Sequence, residues 1–432
     1  MEKSELKDHR SSIEILPVSH ILKTTIRVPG SKSLTNRALL VASLAVGTTT
    51  LTNALFSDDS LYFADSLKKL DFEVQSNQEL STITVTGHGG LIPAKRKDLY
   101  VGNAGTAARF LTAMLTLGNG EYTVDGDPRM RQRPIGDLVE ALTQLGANVT
   151  SSTGCLPVCV LASGLRGGHA SVAGNVSSQY LSGLLMVAPY AQSTVELVIE
   201  RGLISRPYVD MTLAVMSDFG VEIIRDGYER FTINSARYKP RETYAIESDA
   251  SAASYFFAAP AILGGTVRVE NISRQSKQGD IGFLKILQRM GCVVTDGPDY
   301  IEVTGPDHLR GVDVDMRDIS DTAQTLAVIA PFASSPTRIR GIDFIRVKET
   351  DRITAVCAEL TRLGVDVQEH SDGMTIQPCA LIHPGRISTY NDHRMAMAFA
   401  LIGLRASGVS IENPSCVSKT FPNYFAVLET LR

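Results

Sequence analysis

Val28-Pro29-Gly30-Ser31-Lys32-Ser33-Leu34-Thr35-Asn36-Arg37 is the stretch on which the reading of this 432-residue chain turns. Pro29 and Gly30 interrupt any regular element, and Ser31 and Ser33 suit a helix N-cap, where a hydroxyl accepts from a free backbone N–H. The apolar run Ala38-Leu39-Leu40-Val41-Ala42 then predicts a buried helix. Lys32 and Arg37 therefore fall in or beside a first helical turn, where the free N–H groups and the macrodipole already favour an anion. A cation is unfavourable there for folding by ~0.3–1 kcal/mol, so its presence points to a negative ligand. The stretch is not a phosphate-binding P-loop of the Walker type: Ser31, not Gly, precedes Lys32, and Ile26 stands five residues before Ser31.

The same kind of helix start recurs. Asn103-Ala104-Gly105-Thr106 leads into Phe110-Leu111, Asn175-Val176-Ser177-Ser178-Gln179 into Leu181-Ser182, and Asp249-Ala250-Ser251 into Tyr255-Phe256. Asp318-Ile319-Ser320-Asp321 leads into Leu326-Ala327, and Asn391-Asp392-His393-Arg394 into Met395-Ala396. The spacing is roughly 70 residues each time, which marks a repeat architecture. Within a unit a β-rich run follows the first helix (Thr49–Thr52, Val267–Val269, Arg338–Arg340), and a second helix then stops at Leu145-Gly146, Met290-Gly291 or Leu363-Gly364. Helix and strand alternate, so the class is α/β. Three units per domain divides the chain into residues 30–248 and residues 1–29 plus 249–432. The sixth unit reads as truncated and strandless, and the pattern Ser12-Ile13-Glu14-Ile15-Leu16 is placed to supply what it lacks. If the two halves face each other, the six helix starts converge on a cleft suited to small, highly anionic molecules.

Composition narrows the partners. The chain is 44% hydrophobic and 20% charged with a formal net charge of −4, which argues against a general nucleic-acid or membrane binder. Six scattered cysteines without a CxxC pair fit a reduced, cytoplasmic protein and give no metal spacing. Residues 1–12 are polar, without the apolar core of a signal peptide, and no stretch is long and apolar enough to span a membrane.

A second set of charged residues recurs at the start of the second helix: Asp127-Pro128-Arg129-Met130-Arg131-Gln132-Arg133, Ser205-Arg206-Pro207-Tyr208, Arg346-Val347-Lys348-Glu349-Thr350-Asp351-Arg352 and Ser418-Lys419-Thr420. Each run alone reads as a solvated face, but their matched register argues for a shared role. Arg133, Arg352 and Arg394 suit bidentate contacts with phosphate or carboxylate. Asp321 and Glu349 are acid–base candidates, and His393 lies on the sixth helix start. There is no Ser-His-Asp order, no metal-binding histidine spacing and no GxGxxG after a strand.

Residues 29–37, 102–109, 127–136, 177–179, 347–352, 390–397 and 419–424 together resemble the 3-phosphoshikimate 1-carboxyvinyltransferase (EPSP synthase) family over nearly the whole chain. The resemblance implies a monomeric enzyme without metal or organic cofactor. Its fold would be a two-domain inside-out α/β barrel, each domain three βαβαββ repeats, with the active site in the interdomain cleft. The implied reaction moves the enolpyruvyl group of phosphoenolpyruvate to the 5-hydroxyl of shikimate 3-phosphate and releases phosphate. By motif, Lys32, Ser33, Arg37, Ser177, Ser178, Gln179, Ser205, Tyr208, Asp321 and Lys348 match the shikimate 3-phosphate site. Lys32, Gly105, Arg133, Gln179, Arg352, Arg394 and Lys419 match the phosphoenolpyruvate site. Asp321, Glu349, Lys32 and His393 form the implied catalytic set. Two positions depart from the pattern: Phe110 stands where many members have Pro, and Phe344 where many have Asn. The missing side chain at Gly105 implies room beside phosphoenolpyruvate and hence sensitivity to glyphosate. The alternatives are the sister transferase acting on UDP-N-acetylglucosamine, which typically carries a Cys in the second unit's loop, and a non-catalytic repeat protein that binds phosphorylated metabolites. No Cys precedes Cys155 here.

Overall fold

The computed structural model describes residues 11–432; the polar segment 1–10 lies outside the described residues. Among the described residues, twelve α-helices alternate between two kinds. One kind comprises α1 (Lys32–Leu44), α3 (Gly105–Leu115), α5 (Ser178–Val187), α7 (Ala250–Leu263), α9 (Ala323–Ile329) and α11 (His393–Gly403). The other comprises α2 (Asp58–Lys69), α4 (Gly136–Gln144), α6 (Arg206–Asp218), α8 (Phe283–Met290), α10 (Arg352–Arg362) and α12 (Tyr424–Glu429). Helices of the first kind are buried nearly all round: 11 of 13 residues of α1, 13 of 14 of α7 and all 11 of α11. Apart from site cations such as Arg37 and Arg394 and a few other polar side chains, their sequences are apolar or small, as burial on all sides requires. Helices of the second kind are one-sided; α8 buries Phe283, Leu284, Ile286, Leu287 and Met290 and leaves its other face wet. Four of them end at a left-handed glycine, with φ +83° at Gly146, +85° at Gly220, +110° at Gly291 and +85° at Gly364. Only glycine takes that conformation without a Cβ penalty.

Six small sheets complete six units. In four of them the strands flanking a buried helix pair in parallel: Arg96–Tyr100 with Asn119–Asp125, Gly168–Ala173 with Val195–Glu200, Asp313–Asp315 with Thr337–Arg340, and Gly385–Ile387 with Val409–Glu412. A parallel pair needs such a crossover, and the helix supplies it. In the remaining two units the first strand comes from far away in sequence. Thr243–Ala245 pairs with Val46–Thr52 beside α1, and Leu22–Ile26 pairs with Gly265–Glu270 beside α7. An antiparallel hairpin extends each of the first five sheets, giving the order βαβαββ. No sheet closes on itself among the described residues.

The sixth unit differs from the sequence expectation. It is not strandless: Gly385–Ile387 and Val409–Glu412 are its own, and Ser12–Ile15 adds antiparallel to Val409–Glu412 in place of a hairpin. Gly385–Ile387 is three residues long, too short to show alternation, and Val409–Glu412 lies in none of the recurring motifs.

By contacts the described residues form two compact units, one of Pro29–Glu247 with Lys277–Gly279, the other of residues 11–28, Ser248–Ser276 and Asp280–Arg432. In the first, α3 packs on α5 and α1 on α3 and α6; in the second, α9 packs on α7 and α11. No helix among the described residues is long and apolar enough to cross a membrane.

Candidate active site

In the 29–247 unit, α1 starts as its sequence predicts. Ser31 caps it, accepting from the Leu34 N–H at 3.4 Å, and Lys32 is its first residue with no acid in the first turn. The Lys32 ammonium lies 3.5 Å from the Asp59 carboxylate, which is itself buried in the first turn of α2. Asp59 is a neighbour the sequence reading missed; its only signal is the acidic pair Asp58-Asp59 at that helix start. One turn on, Arg37 is 1% exposed. It donates to Thr212 Oγ1 (2.8 Å), Ser182 Oγ (3.3 Å) and the carbonyls of Ser33 (3.0 Å) and Tyr208 (3.1 Å). Burial lowers its pKa to about 10, although the Tyr208 hydroxyl acts to raise it.

Gly105 begins α3, and Arg133 lies directly against it: a Cβ on Gly105 would fall 2.6 Å from Arg133 Nη2. The space left by the absent side chain is thus taken up by a guanidinium. Arg133 also donates to the Asn103 side-chain oxygen (3.0 Å) and carbonyl (3.2 Å), which ties the second-helix cation to the first-helix start. Ser177 caps α5 and accepts from the Gln179 N–H at 3.3 Å, with Ser178 buried as the first helical residue. Ser205, before α6, holds a left-handed backbone at φ +53° and is buried, and Tyr208 follows it half-buried. Non-glycine residues take that conformation at a cost, which fits a position fixed for function.

In the other unit one charged cluster gathers residues from four helix starts. Arg352, at the start of α10 and 2% exposed, donates to Asp392 (2.7 Å), Glu349 (2.9 Å) and Asp321 (3.3 Å). Burial acts to lower its pKa, but Asp392, Glu349 and Asp321 outweigh it and hold the guanidinium above the ordinary arginine value. Arg394 donates to the Asp321 carboxylate at 2.7 Å and to its carbonyl at 3.1 Å. Lys419 lies 3.7 Å from Glu349. Asp392 caps α11, accepting from the Arg394 N–H at 2.9 Å, and its carboxylate lies 3.5 Å from His393 Nδ1. Asp280, buried near this cluster, accepts from the Ser251 hydroxyl, and burial followed by the charge of Asp321 pushes its pKa up to about 7. Lys348 is half-buried next to Glu349, and Phe344 is buried in the preceding short helical turn.

Asp321, Glu349, Arg352, Arg394 and Lys419, with His393 through Asp392, are therefore brought together within one unit. Lys32, Arg37, Gly105, Arg133, Ser177, Ser178, Gln179, Ser205 and Tyr208 lie at helix starts or first turns of the other. Asp392, part of the motif Asn391-Asp392-His393-Arg394, belongs to the cluster without a role assigned from sequence, and Asp280 lies outside every recurring motif. Each basic group of the cluster is held by a carboxylate, so the arrangement orients cations and sets carboxylates beside them for proton transfer. No group of three or more His, Cys, Asp or Glu among the described residues has the geometry to hold a metal ion.

The model of the family described as EPSP synthase (3-phosphoshikimate 1-carboxyvinyltransferase) matches residues 18–428. A 3-phosphoshikimate 1-carboxyvinyltransferase of Nostoc punctiforme is 52% identical over 416 residues, covering 96% of this chain and 97% of the relative. One of Shewanella baltica is 48% identical over 411 residues, covering 94% and 96%. Among solved structures, an EPSP synthase from Acinetobacter baumannii superposes with a TM-score of 0.81 at 25% identity, covering 97% of each chain. The enolpyruvyl transferase NikO from Streptomyces tendae shares the fold, with a TM-score of 0.78 at 17% identity over 97% of each chain. The fold and the helix-start residues thus place the chain among the enolpyruvyl-transferring enzymes. Within that class, it belongs to the EPSP synthase family.

Proposed function

We propose that this enzyme transfers the enolpyruvyl group of phosphoenolpyruvate to the 5-hydroxyl of shikimate 3-phosphate, releasing phosphate. The observation that carries the reading is the full-length family match to a chain whose matched motifs hold Asp321, Glu349, Arg352, Arg394 and Lys419 in one cluster. Lys32, Ser33, Arg37, Ser177, Ser178, Gln179, Ser205, Tyr208, Asp321 and Lys348 take the role of binding shikimate 3-phosphate. Lys32, Gly105, Arg133, Gln179, Arg352, Arg394 and Lys419 take that of binding phosphoenolpyruvate.

Asp321 accepts the proton of the 5-hydroxyl as its oxygen bonds to C2 of phosphoenolpyruvate, and Glu349 delivers a proton to C3. The product of that addition is a tetrahedral intermediate whose phosphate and carboxylate the arginines and lysines stabilise. Return of a C3 proton to Glu349 and cleavage of the bond between C2 and the phosphate-bearing oxygen restore the double bond, with Lys32 countering the charge on the departing phosphate. Both substrates carry a phosphate and a carboxylate, which explains local cation clusters in an acidic chain. We read the enzyme as a cytoplasmic monomer whose domains are residues 30–248 and 1–29 plus 249–432, and as sensitive to glyphosate.

Phosphate release from phosphoenolpyruvate tests the reading when shikimate 3-phosphate and UDP-N-acetylglucosamine are offered separately as acceptors. Release is expected with the first alone, and to fall by ~10²–10⁴ in Asp321→Ala and Glu349→Ala, the range for a lost acid–base group. Release with UDP-N-acetylglucosamine, or near-normal turnover in both variants, contradicts it.

A further inference from the structure

Arg37 is the cation of this enzyme whose surroundings are least ordinary. Its guanidinium is 1% exposed, and among the described residues no carboxylate pairs with it. All four of its acceptors are neutral: two hydroxyls, of Thr212 and Ser182, and two carbonyls, of Ser33 and Tyr208. A buried cation ordinarily demands a counter-charge. What Arg37 has instead is the face of Phe110, whose ring centroid lies 5.3 Å from its Cζ. Phe110 is itself fully buried in α3, five residues after Gly105. An aromatic face presents negative charge density to a cation, and at this distance and in this dry setting the attraction is appreciable.

We propose that Phe110 is a positioning residue for the acceptor substrate: its ring holds the Arg37 guanidinium charged and fixed until an anionic group of shikimate 3-phosphate supplies the missing counter-charge. The inference rests on the assignment of Arg37 to that substrate. A guanidinium has five N–H bonds. Nε and both hydrogens of Nη2 are engaged, and Nη1 spends one on the Ser33 carbonyl, so a single N–H on the Ser33 side is left for a ligand. Rotation of the guanidinium would misdirect that one donor, and the Phe110 ring face beside it, with its centroid 5.3 Å from Cζ, opposes the rotation. Because Phe110 sits on the helix that begins at Gly105, the contact also ties the acceptor's arginine on α1 to the helix start assigned to phosphoenolpyruvate.

Replacing residue 110 by mono-, di- and trifluorophenylalanine drains the ring face while nearly preserving its shape. The expected result is a Kd for shikimate 3-phosphate, measured by titration calorimetry on the full-length enzyme, that rises stepwise with each fluorine to roughly three- to tenfold. The KM for phosphoenolpyruvate and the melting temperature are expected to stay within twofold and within a degree or two, about the noise of such comparisons. Phe110→Leu should raise the same Kd, and should add nothing further in an Arg37→Met background. A Kd indifferent to fluorination, in an enzyme whose Arg37→Met variant binds shikimate 3-phosphate weakly, overturns the role of Phe110 and leaves the assignment of Arg37 standing. A Kd unchanged in Arg37→Met contradicts that assignment, and this inference with it.

Discussion

Arg352 carries three carboxylates on one guanidinium, and that residue sets the electrostatics of its unit. Breaking such a buried pair costs ~3–5 kcal/mol because it strands an uncompensated charge, so the cluster is a fixed frame and not a loose salt-bridge network. Asp280 lies beside it with a folded-state pKa pushed up to about 7 by burial and then by Asp321, against the lowering effects of Ser251 and Arg394; Asp249 acts in the raising direction. The folded protein therefore holds a proton on Asp280 that the unfolded chain, with an ordinary aspartate near 3.8, releases. The sign follows: this group stabilises the fold fully below about pH 4, and the contribution is lost as pH rises through about 7. Urea titrations of Asp280→Asn should show a flatter decline of stability between pH 4 and 7 than the wild type, with the Ser251 hydrogen bond preserved by the amide oxygen. Identical slopes would mean that Asp280 is ionised in the fold. None of this was legible in the sequence, because Asp280 sits in a short helical turn outside the recurring motifs and its partner Ser251 is 29 positions away.

At the level of the element, the helix starts are the readable feature. Ser31, Ser177 and Asp392 occupy N-cap positions and accept from the first turn, as polar residues ahead of apolar runs predict. Side-chain pairing between helices was not readable. Lys32 meets Asp59 and Arg37 meets Phe110 through packing that no local periodicity encodes. The start of α3 shows the consequence of close packing. A methyl group on Gly105 must displace the Arg133 guanidinium, 2.6 Å from the built Cβ, because the far end of that side chain can move and the helix backbone cannot. Gly105→Ala should fold normally and raise the KM for phosphoenolpyruvate on the order of tenfold, the worth of one displaced charge-assisted hydrogen bond. The KM for shikimate 3-phosphate should move less. Steady-state kinetics with each substrate varied in turn would settle it, and an unchanged phosphoenolpyruvate KM would remove Arg133 from that site.

Across the whole molecule, three of the six copies of one unit are completed by strands taken from elsewhere in the chain. The repeat was legible because its period of roughly 70 residues survives in every helix start. The strand exchange was legible only in part, since Ser12–Ile15 carries a recognisable alternation whereas Thr243–Ala245 is three residues long. The strands Ser12–Ile15 and Leu22–Ile26 complete two sheets of the unit that contains residues 280–432. Removing residues 1–28 should therefore expose sheet edges there and leave the 29–247 sheets intact. Limited proteolysis of the truncated chain is expected to cut within 248–432 first; equal resistance of both parts would show the borrowed strands to be dispensable. The account as a whole stands on carbon–oxygen bond formation between two phosphorylated acids. Phosphorus-31 NMR of the enzyme with phosphoenolpyruvate and shikimate 3-phosphate follows every phosphorus atom in that reaction. The predicted spectrum loses the phosphoenolpyruvate resonance and gains inorganic phosphate and one new phosphate monoester in equal amounts. Inorganic phosphate appearing without the new monoester, or a phosphoenolpyruvate resonance that persists unchanged, would contradict it.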